Sequence, residues 1–588
     1  MHHSTLLACL STLSFASAKC YDPSPAFPVP LWPSGAKDLK PAFDGIAAKL
    51  HALTAAEGAN KYDTSSFSIE VTSNTDTLWR YYHTARRHNA SRPGDTHVDG
   101  NSVYRIASIT KTFTTLGLLY QHAAGNLSLD DPVSQYIAEF ADPDSSGRIP
   151  WKDITLRIMA SQLSGIPREM GQADVINEFS DPTQLGLPPV TREGLPQCYE
   201  YDHLHRPCTK TELLDQMKKK APLFAPNQRS TYSNLNFELL GLVLENVTGL
   251  NYSDYMRQAI FAPLDMASTS VLKPASDEHA VLPLGQFFWD VDEGIHSPTG
   301  AIYSSSADLS VYLRYVLTHY NALATGVNWM LPASWTEGLS SFYGMPWEIF
   351  RTDKILRESK RPVTFVTKAG GVPDYFSRIS IMPEFGLGLT ILVGGSHDLL
   401  EAAQEIVTVE LIRAAEAVVW RDVDSAYTGT YQAYSSAANQ QPPLNSSLTI
   451  TSSPSTGLLL MTFISNGTDV FTTLLAEYAG GARDDTHSWR AQFTPTLLYK
   501  NETTQQGEIW RLVVVPERLG EGQEAVWDGF CSTDVDPASY AGLPINEFVF
   551  WREEGVVELP AWRVRMRRVD SAADEGGGEK LVVQPRHA

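Results

Sequence analysis

A chain of 588 residues is too long for one hydrophobic core, so two or more domains are expected. Apolar residues make up 43% and charged residues 19%, a globular composition that excludes a disordered or fibrous chain. The formal net charge of −21 repels phosphates and anionic lipid, which argues against nucleic-acid binding and electrostatic membrane docking and leaves neutral or cationic partners.

The first eighteen residues, "MHHSTLLACLSTLSFASA", carry no Asp, Glu, Lys or Arg and contain an apolar run from Leu6 to Phe15. They end in Ala16-Ser17-Ala18, a small-x-small pattern that reads as a signal peptide over 1–18 with a mature start at Lys19. No later stretch has the roughly 18 consecutive apolar residues of a membrane span, so the reading is of a secreted, extracellular protein. The segment 38–56 reads as an amphipathic helix with Phe43, Ile46, Leu50 and Leu53 on one side. Alternating Phe67, Ile69 and Val71, then "TLWRYYHTA", predict two strands.

"YRIASITKTFTTLGLLYQ", residues 104–121, predicts a central helix with Phe113, Leu116, Leu119 and Tyr120 on its apolar face. At its head Ser108 and Lys111 stand three residues apart, a spacing that puts both side chains on one helix face about 5–6 Å apart at Cβ. A serine hydroxyl needs an adjacent base or cation to act as a nucleophile, and a lysine with a depressed pKa supplies either. The S-x-x-K pattern also occurs at Ser34–Lys37 and Ser270–Lys273, where neither opens an apolar helix, so alone it is weak.

From about 125 to 300 the chain is rich in Asp, Pro and Gly with helical patches. Within this stretch "TYSNLNFELLGLVLENVTG" sets Tyr232, Ser233 and Asn234 before a helix that Gly249 terminates. A tyrosine there can project into a cleft and, beside lysines, serve as a general base, with the Asn234 amide holding a substrate carbonyl. A packing tyrosine and a helix N-cap asparagine are the plain alternative. "SSADLSVYLRYVL" predicts a helix with a capping box from Ser305 to Asp308.

Strands return at 362–368, 376–383 and 387–395, and a long helix over 398–419 closes this part. Lys368 ends the first of these strands and is followed by Ala369-Gly370-Gly371, small residues that admit a substrate backbone. The N–H groups of Ser108 and Gly371 can then form an oxyanion hole. Strands from the first and last thirds around a helical insert describe an α+β domain over 19–420.

After Trp420 short alternating runs broken by Gly, Pro, Asn and Ser predict an all-β domain, a small barrel or sandwich, over 421–570. Residues 571–588 read as a disordered tail. Seven N-x-Ser/Thr sequons, at Asn89, Asn126, Asn246, Asn251, Asn445, Asn466 and Asn501, agree with secretion and glycosylation. Removing the signal leaves four cysteines, which suggests two disulfides. Cys198 and Cys208 bracket a short polar loop and pair most naturally, leaving Cys20 for Cys531. His203 and His205 in that loop make a Cys/His metal site the competing reading.

Taken together, Ser-x-x-Lys, Tyr-x-Asn and Lys-x-Gly in this order resemble the serine β-lactamase and penicillin-binding-protein superfamily, in its class C, esterase and D-alanyl carboxypeptidase branch. "VYRIASITKTFT", "GNLSLDDPVSQYI", "DITLRIMASQLSGIP" and "AIYSSSADLSVYL" look like family segments, and "YAGLPINEFVF" and "PAWRVRMRR" are similar to secreted fungal β-lactamase-like proteins. The resemblance implies an antiparallel sheet flanked by helices, with a helical subdomain inserted after the Ser108 helix. It implies Ser108 as acylated nucleophile, Lys111 as its activator, Tyr232 as proton shuttle, Asn234 as a substrate-amide ligand and Lys368 as an electrostatic anchor. It implies no metal or cofactor. The expected reaction is hydrolysis of a small-molecule ester or amide through an acyl-enzyme, with acyl transfer and non-catalytic binding as alternatives; the oligomeric state is not expressed in these residues. Two departures stand out. Ala369 replaces the hydroxyl residue usual in the third motif, removing a donor to a substrate carboxylate, and "SQLSG" (161–165) stands where His-Thr-Ser-Gly is common. No G-x-S-x-G elbow of an α/β-hydrolase occurs.

Overall fold

Strands from the two ends of the first domain meet in one sheet. The computed structural model describes residues 24–569 except 25, 56–60, 142–146, 171–173, 180, 196–197, 199–205, 285–287, 320–328, 435–444, 480, 482, 484–487, 518–525, 527–530, 532–534 and 536–537. The expected signal peptide, Cys20, His203, His205 and the expected tail lie outside the described residues. The chain divides into two units. One holds Val29–Ile355 and Val363–Ala415; the other includes Leu356–Pro362 and the chain from Glu416 onward.

In the first unit the strands are β1 (Ser66–Thr72), β2 (Thr77–His83), β3 (Val103–Arg105), β4 (Tyr303–Ser305), β5 (Ser334–Trp335), β6 (Ser341–Tyr343), β7 (Glu348–Thr352), β8 (Val363–Val372), β9 (Tyr375–Met382) and β10 (Leu387–Gly394). Eight of them form an antiparallel sheet in the order β2-β1-β10-β9-β8-β7-β6-β5, while β3 and β4 pair separately. β1 and β10 are buried at every position, as strands covered on both faces must be, and they pair Ile69 with Ile391. Because β1 returns beside β10, the two ends of the domain close on each other and the chain between β2 and β5 is an insert rich in helices. This is the α+β pattern read from the sequence, in the β-lactamase/transpeptidase-like arrangement that the family resemblance implies.

Three boundaries differ from expectation. The predicted helix over 104–121 begins as β3, turns through a 3-10 segment Ala107–Ile109, and becomes α-helical only over Thr110–Ala123. Ala107 has φ 47°, a left-handed conformation that no continuous right-handed helix can contain. β8 does not stop at Lys368 but runs on through both glycines to Val372. The last helix spans His397–Tyr427, eight residues past Val419, because "WRDVDSAY" contains no breaker, and the unit boundary falls inside it. The capping box at Ser305 is half formed: Asp308 N–H donates to Ser305 Oγ at 3.2 Å, but the Asp308 carboxylate accepts from Ser268 N–H and Thr269 Oγ instead.

The Thr110–Ala123 helix is buried on all sides over its first ten residues. Phe113 stacks on Tyr312 with centroids 4.2 Å apart and meets Phe261 edge-on, and full burial of such a ring contributes about 2–3 kcal/mol. The helix Leu235–Thr248 ends at Gly249 in the left-handed conformation, as predicted, and presents Gly241 to Pro298, where an added Cβ would fall 2.2 Å from the proline ring. That close approach seats the short Ser297–Gly300 helix, whose Thr299 carbonyl enters the site below.

Preceding this helix pair, Arg105 is almost wholly buried and donates to Glu293, the Val291 carbonyl and the Tyr303 hydroxyl. Arg105→Met is expected to cost about 3–5 kcal/mol, since it strands the buried Glu293 carboxylate. Burial already raises the Glu293 pKa against the opposing pull of Arg105. A group whose folded pKa is raised contributes stability at low pH that is lost as pH rises through that pKa. Urea denaturation of the variant should therefore show a larger deficit at pH 8 than at pH 5.

The second unit holds the all-β domain, and it is a barrel. Its strands are β11 (Gly429–Ala433), β12 (Ser447–Ser453), β13 (Gly457–Ser465), β14 (Thr468–Asp469), β15 (Trp489–Asn501), β16 (Gln506–Pro516), β17 (Ser539–Tyr540), β18 (Leu543–Pro544), β19 (Glu547–Trp551), β20 (Val556–Leu559) and β21 (Val564–Val569). The order β12-β11-β21-β20-β19-β16-β15-β13 is closed by a β12–β13 pairing, giving an eight-stranded antiparallel ring with β14 beside β13 and β17–β18 apart. Phe493, Trp510, Phe548 and Phe550 fill it with edge-on contacts, and Tyr427, at the end of the preceding helix, adds its ring against Trp510 and Phe550. Cys198 and Cys208 form a disulfide, and Cys531 is disulfide-bonded. Among the described residues no helix is long and apolar enough to cross a membrane.

Candidate active site

The left-handed Ala107 lifts Ser108 out of the helix behind it, so its hydroxyl is half-buried while the rest of the segment is sealed. A left-handed non-glycine residue is strained, and such strain concentrates at functional positions. Lys111, in the first turn of the helix, is fully buried and donates from Nζ to Ser108 Oγ at 3.0 Å and to the Thr299 carbonyl at 2.8 Å. From the loop before the Leu235–Thr248 helix, Tyr232 donates its hydroxyl to the same Ser108 Oγ at 2.9 Å. A residue 124 positions along the chain thus reaches the Ser108 oxygen that Lys111 also contacts.

Three cations face the Tyr232 ring: Lys111 and Lys368 with Nζ 5.2 Å from its centroid, and Arg168 at 4.8 Å. Burial pushes the Tyr232 phenol up, but Lys111 and Lys368 outweigh it and hold the pKa below the ordinary tyrosine value. Burial likewise depresses the Lys111 pKa below that of a free lysine, against the opposing pull of Tyr232 and with added repulsion from Lys368. The arrangement therefore presents a hydroxyl between a phenol whose pKa is lowered by its two lysine neighbours and an amine whose charged form burial disfavours.

Asn234 is not a side-chain cap: its backbone is right-handed and its amide donates to Glu169 Oε1 at 2.5 Å. Glu169 also pairs with Arg168 at 3.1 Å, and burial raises its pKa in spite of both partners. The "SQLSG" segment holds this loop in place. Gln162, itself left-handed, accepts on Oε1 from Ser233 N–H at 2.8 Å and from the Asn236 amide at 3.2 Å, and Asn236 in turn accepts from Ser164 Oγ at 2.7 Å.

β8 brings Lys368, Gly370 and Gly371 alongside. Gly370 packs directly on the carbonyl of Ile106, two residues before Ser108; a Cβ there would lie 2.2 Å from that oxygen and 2.4 Å from Ser377 Oγ. Ser377, the register partner of Gly370, donates to the same carbonyl at 2.8 Å. Gly371 has room, with the Phe376 ring 3.6 Å from its added Cβ. Gly370→Ala is expected to cost about 1–3 kcal/mol and to lower turnover by about tenfold or more, because β8 must back away from the Ser108 turn. Thermal melting and steady-state rates on the same preparation check both parts.

Lys368 is buried and its ammonium is already engaged, 2.6 Å from Glu348 Oε1 and 2.8 Å from the Ala369 carbonyl. Glu348, Glu169, Arg168, Gln162 and Thr299 escape the motif reading, since each is an isolated residue whose position depends on pairing across the fold. Only Gln162 left a trace, as the departure in "SQLSG".

The β-lactamase family model matches residues 50–412, and a model described as "Beta-lactamase-like-like, C-terminal domain" matches residues 419–570. The chain is 31% identical over 548 residues to the probable hydrolase M10 of Phoma sp., covering 90% of this chain and 87% of that protein. It is 30% identical over 591 residues to a beta-lactamase-like protein of Arthroderma benhamiae, covering 94% and 95%. A solved class C beta-lactamase is 17% identical, with a TM-score of 0.47, covering 63% of this chain and 96% of that one.

Proposed function

The chain belongs to the β-lactamase family, and on that premise we propose that it is a secreted serine hydrolase that cleaves a small-molecule ester or amide through an acyl-enzyme on Ser108. One observation carries the reading: Ser108 Oγ receives both the Lys111 ammonium at 3.0 Å and the Tyr232 hydroxyl at 2.9 Å. A serine in such a setting can lose its proton as it attacks.

In the acylation step Ser108 Oγ adds to the substrate carbonyl while Tyr232, as phenolate, takes the hydroxyl proton. The N–H groups of Ser108 and Gly371 would receive the oxyanion, and the Tyr232 proton then goes to the leaving oxygen or nitrogen. Water attacks the ester on Ser108 by the same route in reverse, releasing the acid and restoring the hydroxyl. Lys111 keeps the phenol acidic through both steps, and Thr299 orients Lys111. The Asn234–Glu169 pair lies beside this path and offers polar contacts to an amide or ester group. Secretion rests on the leader-like first eighteen residues, and of the seven sequon asparagines all but Asn89 are exposed.

Intact-protein mass spectrometry after incubation with pooled esters, lactones and β-lactams tests the proposal. An added acyl mass that maps to the Ser108 peptide is expected; an adduct mapping elsewhere refutes the assignment. The pH profile gives a second check. Because the Tyr232 phenol is held below its ordinary pKa, the rising limb of kcat/KM should lie below that of a free tyrosine and should disappear in Tyr232→Phe.

A further inference from the structure

Glu348 holds Lys368 in the way a bound carboxylate would. It sits on β7 opposite Thr367, whose hydroxyl donates to the Glu348 carbonyl at 2.8 Å, and this pairing aims its side chain along β8. One carboxylate oxygen meets Lys368 Nζ at 2.6 Å; the other accepts the Ala369 N–H at 3.0 Å. The two donors that converge here are a buried ammonium and a backbone N–H, a cradle suited to both oxygens of one carboxylate. The Lys368 side chain is 1% exposed, whereas that of Glu348 is 31% exposed and so borders the open side of the site. At position 369 an alanine methyl adds no donor for a second acid. Arg168, which with Lys111 and Lys368 fronts the Tyr232 ring, carries its own carboxylate in Glu169. Each of the two positive groups on this side is thus matched from within the chain.

We infer that Glu348 is a specificity-determining residue that occupies the carboxylate-binding position on Lys368 and Ala369, so that the site takes neutral carboxylic esters, whose leaving group is an uncharged alcohol. This deepens the acyl-enzyme reading and rests on it. A substrate carboxylate arriving at Lys368 meets a like charge that already holds both donors, and like-charge contact in a partly buried site is unfavourable. A neutral alkyl or aryl leaving group meets no such repulsion, and the Glu348–Lys368 pair presents it with no net charge.

The test compares phenyl butyrate with 3-carboxyphenyl butyrate, which differ only by a carboxylate on the leaving group. The wild-type protein should favour the neutral ester in kcat/KM by about tenfold or more. Glu348→Gln keeps an acceptor but removes the charge, and Glu348→Ala empties the cradle; each should move the ratio about tenfold toward the carboxylated ester, chiefly through its KM. A wild-type preference for the carboxylated ester overturns the inference, with no need for either variant to fold, and so does a ratio within about twofold of wild type in both variants. The same comparison by calorimetric binding in a Ser108→Ala background reads the Glu348 effect without turnover. Persistent hydrolysis in Ser108→Ala would sink the acyl-enzyme reading, while an unmoved binding ratio would sink only the role of Glu348.

Discussion

Ser108→Ala is expected to lower turnover by about 10⁴-fold or more and to abolish the acyl adduct, the largest effect of any single change in the protein. The hydroxyl is the one group on which Lys111 and Tyr232 both converge, so its removal leaves a base and a cation with nothing to activate. Folding should be unaffected, because the side chain is half-buried, Lys111 stays bonded to the Thr299 carbonyl, and Lys111 keeps its contact with the Tyr232 ring. Steady-state rates and intact mass on the same sample check this, and substantial residual turnover would move the nucleophile to another residue.

Lys111→Ala is expected to reduce kcat by about 10³–10⁴-fold while leaving the protein folded. Two losses combine. The Ser108 oxygen loses the cation 3.0 Å away, and the Tyr232 phenol loses the stronger of the two ammonium groups that hold its pKa down, so its pKa moves back up toward the ordinary tyrosine value. A buried ammonium is costly to a fold, so Lys111→Met, which fills the space without charge, should match or exceed the wild-type melting temperature while remaining inactive. Inactivity with raised stability would mark Lys111 as retained for chemistry; near-wild-type kcat would contradict its role. The pH–rate profile of Lys111→Ala adds a readout that packing alone would not move, since its rising limb should shift to higher pH.

Much of this site is legible in the sequence because its motifs are compact. Ser108 and Lys111, Tyr232 and Asn234, and Lys368 to Gly371 are each read within a few residues, and the fold brings the three together. What escapes local reading depends on partners that are remote in the chain. Glu348 is one acid on a short strand, and only the β7–β8 register reveals that its carboxylate spans Lys368 and the Ala369 N–H. Glu169 lies in a loop with no periodic signal, yet its bond to Asn234 sets the amide that the sequence offers to substrate. The residues before Ser108 read as helix because "YRIA" suits either state. Ala107 in the left-handed region decides against it, and nothing in an alanine announces that conformation. Barrel and sandwich were likewise indistinguishable, since alternation gives strands but not the β12–β13 pairing that closes the ring.

The His397–Tyr427 helix has a practical consequence for anyone who dissects the chain. A cut after Trp420, where composition changes, would leave Tyr427 and its hydroxyl bond to Glu508 on a seven-residue stub with no helix behind it. The aromatic plug between Trp510 and Phe550 would fray, and the excised C-terminal fragment would be judged unstable for a reason of surgery alone. A fragment beginning upstream of Glu416 carries three turns of its own lead-in and should keep the plug seated.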